Sequence, residues 1–206
     1  MENKFYSQIG QDKWVCEFFN YKKNGYFLDI GAFDGVDLSN TYYLEKELDW
    51  NGICVEASKV IFERLKTQRK CLCINNAIYK KNTTVNFSFD GHMGSRISMN
   101  STGETVEALT LETVLKQHNS PKTIDYVSLD IEGNEFEALL GFPFKEYEVI
   151  LWTIEHNLHG GVEGRILKGN VMNIMRDNGY QIIKENVGTS PFYPQEDWYI
   201  NKKYVK

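Results

Sequence analysis

The residues best suited to chemistry fall in five groups, each following a short apolar run: Asp29, Gly31, Asp34 and Gly35; Glu56; Asn75 and Asn76; Asp130 and Glu132; and Glu155, His156 and Asn157. The spacing Asp29-x-Gly31-x-x-x-Gly35 lets the backbone approach a ligand closely at a turn. It lacks the Gly-x-Gly-x-x-Gly pattern that cradles a pyrophosphate. A carboxylate at such a turn opposes phosphate and suits a cation. Glu56 is an acid of the kind that accepts both hydroxyls of a ribose. Together these residues point to a positively charged, phosphate-free nucleoside, S-adenosylmethionine.

Methyl transfer from a sulfonium to oxygen is an in-line displacement, and much of its acceleration comes from holding the oxygen close and aligned. A protonated hydroxyl is a poor nucleophile, so the site needs a base or a metal. Two routes fit. In one, His156 is the general base and Glu155 or Asp130 orients it, since His suits proton removal near neutral pH. In the other, Asp130, Glu155 and Asn157 (or Glu132) hold Mg²⁺ through oxygen. His156 is also readable as a hydrogen-bonded strand-end residue. A soft-metal pair of His156 and His159 has no Cys beside it to support it.

Position depends on the elements that carry these groups. The apolar runs 25–30, 52–56, 71–78, 125–130 and 149–154 read as buried strands. The segments 11–20, 39–48, 58–69, 111–118 and 162–178 read as helices, with Ser39 a candidate N-cap. Asn134 with Glu137 resembles a capping box, and Gly141 with Pro143 marks that helix's end. Strand alternating with helix predicts a parallel, doubly wound α/β sheet, whose ligands bind outside the carboxyl ends of the strands. Residues 85–89 and 105–109 read as further strands around a Gly/Ser-rich loop, 90–103, of a length that is often functional. We expect that loop to be an acceptor lid, with Arg96 facing an anionic or hydroxyl-rich partner. Residues 180–184 and 198–201 close the sheet, separated by a loop with Pro191 and Pro194. Phe192, Tyr193, Trp198 and Tyr199 in this tail suit either sugar stacking or packing.

A length of 206 residues suits one domain, 1–206, with an N-terminal helical segment at 1–24 and a β insertion at 82–109. The net charge of -5 argues against a nucleic-acid partner and against anionic membrane surfaces. No apolar run has the length of a membrane span and the start lacks a signal-peptide pattern, so the expectation is a cytoplasmic protein without membrane insertion. Cys16, Cys54, Cys71 and Cys73 form no Cys-x-x-Cys pair and read as buried free thiols.

Several separated motifs resemble one family. They are Ser7-Gln8-x-Gly10-Gln11-Asp12, Phe27-Leu28-Asp29-Ile30-Gly31-Ala32-x-Asp34-Gly35, Ser39-Asn40-Thr41, Leu44-Glu45, Gly52-Ile53-Cys54-Val55-Glu56, Asn75-x-Ala77 and Asp125-Tyr126-Val127-Ser128-Leu129-Asp130-Ile131-Glu132-Gly133-x-Glu135. In this order they are similar to the FkbM methyltransferases. The resemblance implies the class I methyltransferase (Rossmann-like) sheet, seven strands ordered 3-2-1-4-5-7-6, and S-adenosylmethionine-dependent O-methylation, often of sugars or polyketides. It implies that Asp29, Gly31, Asp34 and Gly35 surround the methionine part, that Glu56 and Ala57 meet the ribose, and that Asn76 and Ala77 meet the adenine. Gln8, Thr41 and Asp130 complete the expected donor site, with Ser7 and Glu45 as further polar anchors. Many members carry Lys where this chain has Ser128. The expected acceptor is a small molecule or glycan. Competing readings are a nicotinamide-dependent oxidoreductase on a similar sheet and a non-catalytic binding protein.

Overall fold

The computed structural model describes residues 4–88, 96–98, 104–156, 161–190 and 192–205. In chain order the elements are α1 (Gln11–Phe18), β1 (Tyr26–Ile30), α2 (Tyr42–Leu48), β2 (Asn51–Val55), α3 (Lys59–Gln68), β3 (Leu72–Ile74), β4 (Ala77–Ile78), β5 (Thr83–Ser88), β6 (Arg96–Ser98) and β7 (Glu104–Leu109). Then follow α4 (Leu111–Gln117), β8 (Thr123–Leu129), α5 (Glu135–Leu140), β9 (Glu148–Glu155), α6 (Val162–Asp177), β10 (Tyr180–Ser190) and β11 (Tyr193–Asn201).

Seven strands form one sheet in the order β10-β11-β9-β8-β1-β2-β3. Numbered within this sheet and read from its other edge, the order is 3-2-1-4-5-7-6, the class I methyltransferase arrangement. The five apolar strands run parallel, and β11 is antiparallel to both β9 and β10. Register decides the site. Ile30 pairs with Val55 and Leu129, Val55 with Ile74, and Leu129 with Ile154. The next residue of each strand is therefore brought to one edge: Gly31, Glu56, Asn75, Asp130 and Glu155.

Side-chain alternation splits the core into two layers. Leu28, Ile30, Val127, Leu129, Trp152 and Ile154 pack with residues of α4, α5 and α6 on one face. Phe27, Cys54, Tyr126, Leu151 and Trp198 pack on the other with Trp14 and Val15 of α1 and Leu44 and Leu48 of α2. Each fully buried side chain of this size contributes about 1.5–3 kcal/mol. Both faces of the sheet are therefore clamped, and its edge is a rigid support. Among the described residues no helix is long and apolar enough to cross a membrane.

Four local expectations need correction. The run 71–78 is two strands rather than one: the Asn75 Nδ2 donates to the carbonyls of Glu56 at 2.8 Å and Ala57 at 3.0 Å, and this turns the chain out of the main sheet. β4 instead joins a four-stranded sheet, β4-β7-β5-β6, built from the insertion. Helix α5 is started by Glu135, whose Oε1 accepts the N–H groups of Ile131 and Gly133, rather than by an Asn134 side-chain cap. The closing strands are a long bulged hairpin, and Pro194 lies within β11 opposite Gly188. Of the expected lid, residues 96–98 pair with β5; the remainder, and the Arg96 side chain, lie outside the described residues.

Candidate active site

Two cavities open at the carboxyl edge. The first has a volume of about 740 Å³ including its open mouth, and its floor runs over Gly31, Glu56, Ala57, Asn76, Ala77 and Asp130. Phe87 and Ile97 from the small sheet form part of its wall. The second, about 490 Å³, is lined by polar groups of Gln8, Gln11, Asp29, Asp37, Asn40 and Ser128, among others. They meet at Gly31, Phe33 and Asp130, which line both.

The junction requires glycine. Gly31 sits at φ 89°, and a Cβ there would lie 1.7 Å from the Asp130 carbonyl oxygen. The N–H groups of Gly31 and Ala32 both donate to the Val55 carbonyl at 3.0 Å, which fixes the turn to β2. In the first cavity the Glu56 carboxylate accepts from the Phe33 N–H at 3.1 Å and the Ser58 N–H at 2.7 Å. Those bonds fix the carboxylate beside the cavity. Burial pushes its pKa up to about 7 against the pull of the same N–H groups.

Acids gather at the junction. Oxygens of Asp130, Glu132 and Glu155 lie within 4.8 Å of one another. Burial raises the Asp130 pKa while a hydrogen bond from Glu155 pulls it back. Glu155 is raised further, by burial and then by the Asp130 charge. A hydrogen bond thus links the Glu155 and Asp130 carboxyls inside the buried edge. Burial also lifts Glu135 and Glu196 to about 8. Among the described residues lining either cavity there is no Lys or Arg. Such a site repels pyrophosphate and accommodates a cationic nucleoside, which disfavours a nicotinamide dinucleotide.

Against known proteins, a family model described as the methyltransferase FkbM domain matches residues 29–182. The chain belongs to the FkbM methyltransferase family. Membership implies S-adenosylmethionine as methyl donor. Solved structures give the same fold at low identity. An FkbM methyltransferase from Methylobacillus flagellatus matches with TM-score 0.57 and 14% identity over 87% of this chain; the chain spans 44% of that protein. A putative O-methyltransferase from Klebsiella pneumoniae matches with TM-score 0.58 and 8% identity, covering 97% of this chain and 83% of that one. A putative rRNA methylase from Clostridium thermocellum matches with TM-score 0.56 and 9% identity, covering 97% and 99%. No curated protein matches the sequence.

Within this FkbM methyltransferase the expected donor residues divide in two. Gly31, Glu56, Ala57, Asn76, Ala77 and Asp130 line the first cavity, and Gln8 and Asp29 the second. Asp34, Gly35 and Thr41 line neither; they shape the loop. Asp34 Oδ1 accepts the N–H groups of Val36 and Asp37. A Cβ on Gly35 would meet Leu65 at 2.6 Å. Thr41 Oγ1 donates to Asp29 Oδ2 at 2.5 Å and accepts from Arg69 at 2.8 Å. Arg69 itself, with a fully buried side chain, also binds Glu45 at 2.5 Å.

The expected catalytic set separates as well. Asp130 and Glu155 come together. His156 points away from them: it is 1% exposed, lines neither cavity, and its Nε2 lies 3.5 Å from Asp197 Oδ1. Asn157 and His159 lie outside the described residues. The sequence reading missed Phe33, Asn40, Phe87 and Ile97. The alternating pattern at 85–89 marked Phe87 as an inward residue, but nothing local said that it faces a ligand pocket. These parts of the insertion line the first cavity rather than the second.

Proposed function

We propose that the protein transfers a methyl group from S-adenosylmethionine to a hydroxyl oxygen of a sugar or glycan, with Asp130 as general base. The observation that carries this reading is the Asp130 carboxylate, which lines both cavities at their junction with the Glu155 carboxyl within 4.8 Å of it. In this reading Glu56 holds the ribose hydroxyls, while Ala57, Asn76, Ala77, Phe87 and Ile97 enclose the adenine. The methionine part runs past Gly31 toward Gln8. The bound donor supplies an electrophilic methyl group. The second cavity takes the acceptor, and its amide, hydroxyl and carboxylate lining suits a partner rich in hydroxyls. Asn40 has a ready acceptor there: its Nδ2 donates to Ser128 Oγ at 2.8 Å, and its buried Oδ1 has no partner among the described residues.

Asp130 accepts the hydroxyl proton as the oxygen is alkylated. Its raised pKa brings its basicity closer to working pH, where general bases act best. Glu155, hydrogen-bonded to Asp130, holds its carboxylate in place and spreads the charge. His156 stands behind this pair as a structural residue.

The test is incubation with labelled donor and a panel of glycosides, with product oxygen and position read by NMR. Label appearing only on nitrogen or carbon acceptors would reject the hydroxyl reading. A second reading, Mg²⁺ held by Asp130, Glu132 and Glu155, is favoured by the 4.8 Å grouping of their oxygens. The base reading expects full turnover in EDTA; loss in EDTA with recovery on Mg²⁺ addition selects the metal.

A further inference from the structure

The search outside the cleft leads to three thiols. Cys73 lies on β3, and Cys71 is the residue just before that strand. Cys54 of β2 is the register partner of Cys73. The Cys54 and Cys71 sulfurs are 3.5 Å apart. Cys54 and Cys71 are buried, whereas Cys73, on the edge strand, is half-exposed. The buried Arg69 guanidinium carries its positive charge close to Cys54 and Cys71. That charge opposes a bound cation and supports a thiolate, so the group suits oxidation rather than metal binding.

We propose that Cys54, Cys71 and Cys73 form a peroxide-reactive thiol centre, in which Cys73 is oxidised first and Cys54 resolves it to a disulfide. Hydrogen bonds from Cys54 and Cys71 hold the Cys73 thiol well below its ordinary pKa. Its sulfur attacks a hydroperoxide: the S–O bond forms, the O–O bond breaks, and the departing hydroxide or alkoxide takes up a proton. Cys54 sulfur then attacks the Cys73 sulfenic acid. The S–S bond forms, the S–O bond breaks, and water leaves with the Cys54 proton. Two electrons pass from the two thiols to the peroxide. Neighbouring strands lie about 4.8 Å apart, inside the Cα separation of about 4.4–6.8 Å that a disulfide spans. The centre lies directly behind the donor turn, since Cys54 is also the register partner of Asp29. It does not depend on the acceptor or on the methyl-transfer reading.

Cys16 supplies an internal control. It is fully buried, and burial pushes its pKa up to about 12. Folded protein treated with hydrogen peroxide, then with N-ethylmaleimide and peptide mass mapping, should show a Cys54–Cys73 disulfide and an untouched Cys16. Alkylation of Cys73 by iodoacetamide should be nearly flat between about pH 6 and 8, where an ordinary thiol gains roughly a hundredfold. In Cys54→Ser the Cys73 sulfenic acid should persist and be trapped by dimedone. Absence of the wild-type disulfide, a disulfide still formed in that variant, or Cys73 labelling that climbs with pH like glutathione overturns the proposal.

Discussion

Glu155 and His156 are neighbours in the chain, and so are Glu196 and Asp197 on the strand paired with them. Alternation sends Glu155 and Glu196 to one face and His156 and Asp197 to the other. All four are nearly completely buried. The electrostatic outcomes are opposite. On the first face burial raises Glu155 and Glu196, and the Asp130 charge adds to it. On the second, burial also works to raise Asp197. The His156 hydrogen bond, the Asn186 N–H at 2.8 Å and the Lys168 ammonium at 3.4 Å outweigh it, and the net shift is downward. The difference lies in the hydrogen-bond donors and the cation that meet the carboxylate, not in burial. The rear face has its own cation, Lys168, and is a structural tie between α6, β10 and β11. The front face has none lining its cavities, and that suits a ligand that brings its positive charge with it.

The largest effect should come from the front. Asp130→Asn keeps the shape and removes the carboxylate proposed as base, so turnover should fall by about 10²–10⁴, while S-adenosylhomocysteine still raises the melting temperature. Glu155→Gln keeps a donor toward Asp130 and should lose roughly tenfold. Near wild-type turnover in Asp130→Asn would dissolve the functional half of the contrast.

The rear should respond in stability instead. Asp197→Ala leaves Lys168, among the described residues, with Glu185 and Asn186 at 2.9 and 2.5 Å, and removes the Asp197 carboxylate from His156. Breaking such a buried tie costs about 3–5 kcal/mol, or roughly 6–20 °C in melting temperature for a chain of this length. His156→Gln should lower stability less and leave turnover within a few fold. A collapse of turnover in a stably folded His156→Gln protein would return His156 to the role of base.

The strand exits were legible in the sequence because each acid follows an unbroken apolar run, and a parallel sheet in common register must line such exits up. The direction of His156 was not read, because it depends on the phase of alternation. That phase was present: Trp152 and Ile154 pack with α6 and Leu151 on the opposite face, which commits residue 156 to the α6 side. Arg69 gave no local signal. It follows a solvated helix, and only the return of β3 beside β2 carries its guanidinium in to Asp29, Thr41 and Glu45. The break at Asn75 was hidden for a similar reason. An Asn between apolar residues reads as part of a strand until its side chain is seen bonded to the carbonyls that end β2.

The smallest effect is the one that isolates the cation argument. Glu56, Glu135 and Glu196 have folded pKa values of about 7, 8 and 8, above their ordinary 4.5. Each therefore contributes stability that is complete below about pH 4.5 and is lost as pH rises through 7–8. Asp197, lowered, has the opposite sign: its contribution is present above 3.8 and is lost as pH falls below that. The unliganded protein should accordingly melt a few degrees higher at about pH 6 than at about pH 8. A donor analogue with an amine at the sulfur position should stabilise the protein more than neutral S-adenosylhomocysteine, and its advantage should grow over the same interval as the front carboxyls ionise. Equal stabilisation by the two analogues at both pH values would mean that the missing cation of the front face is not supplied by the ligand, and the two faces would then differ for some other reason.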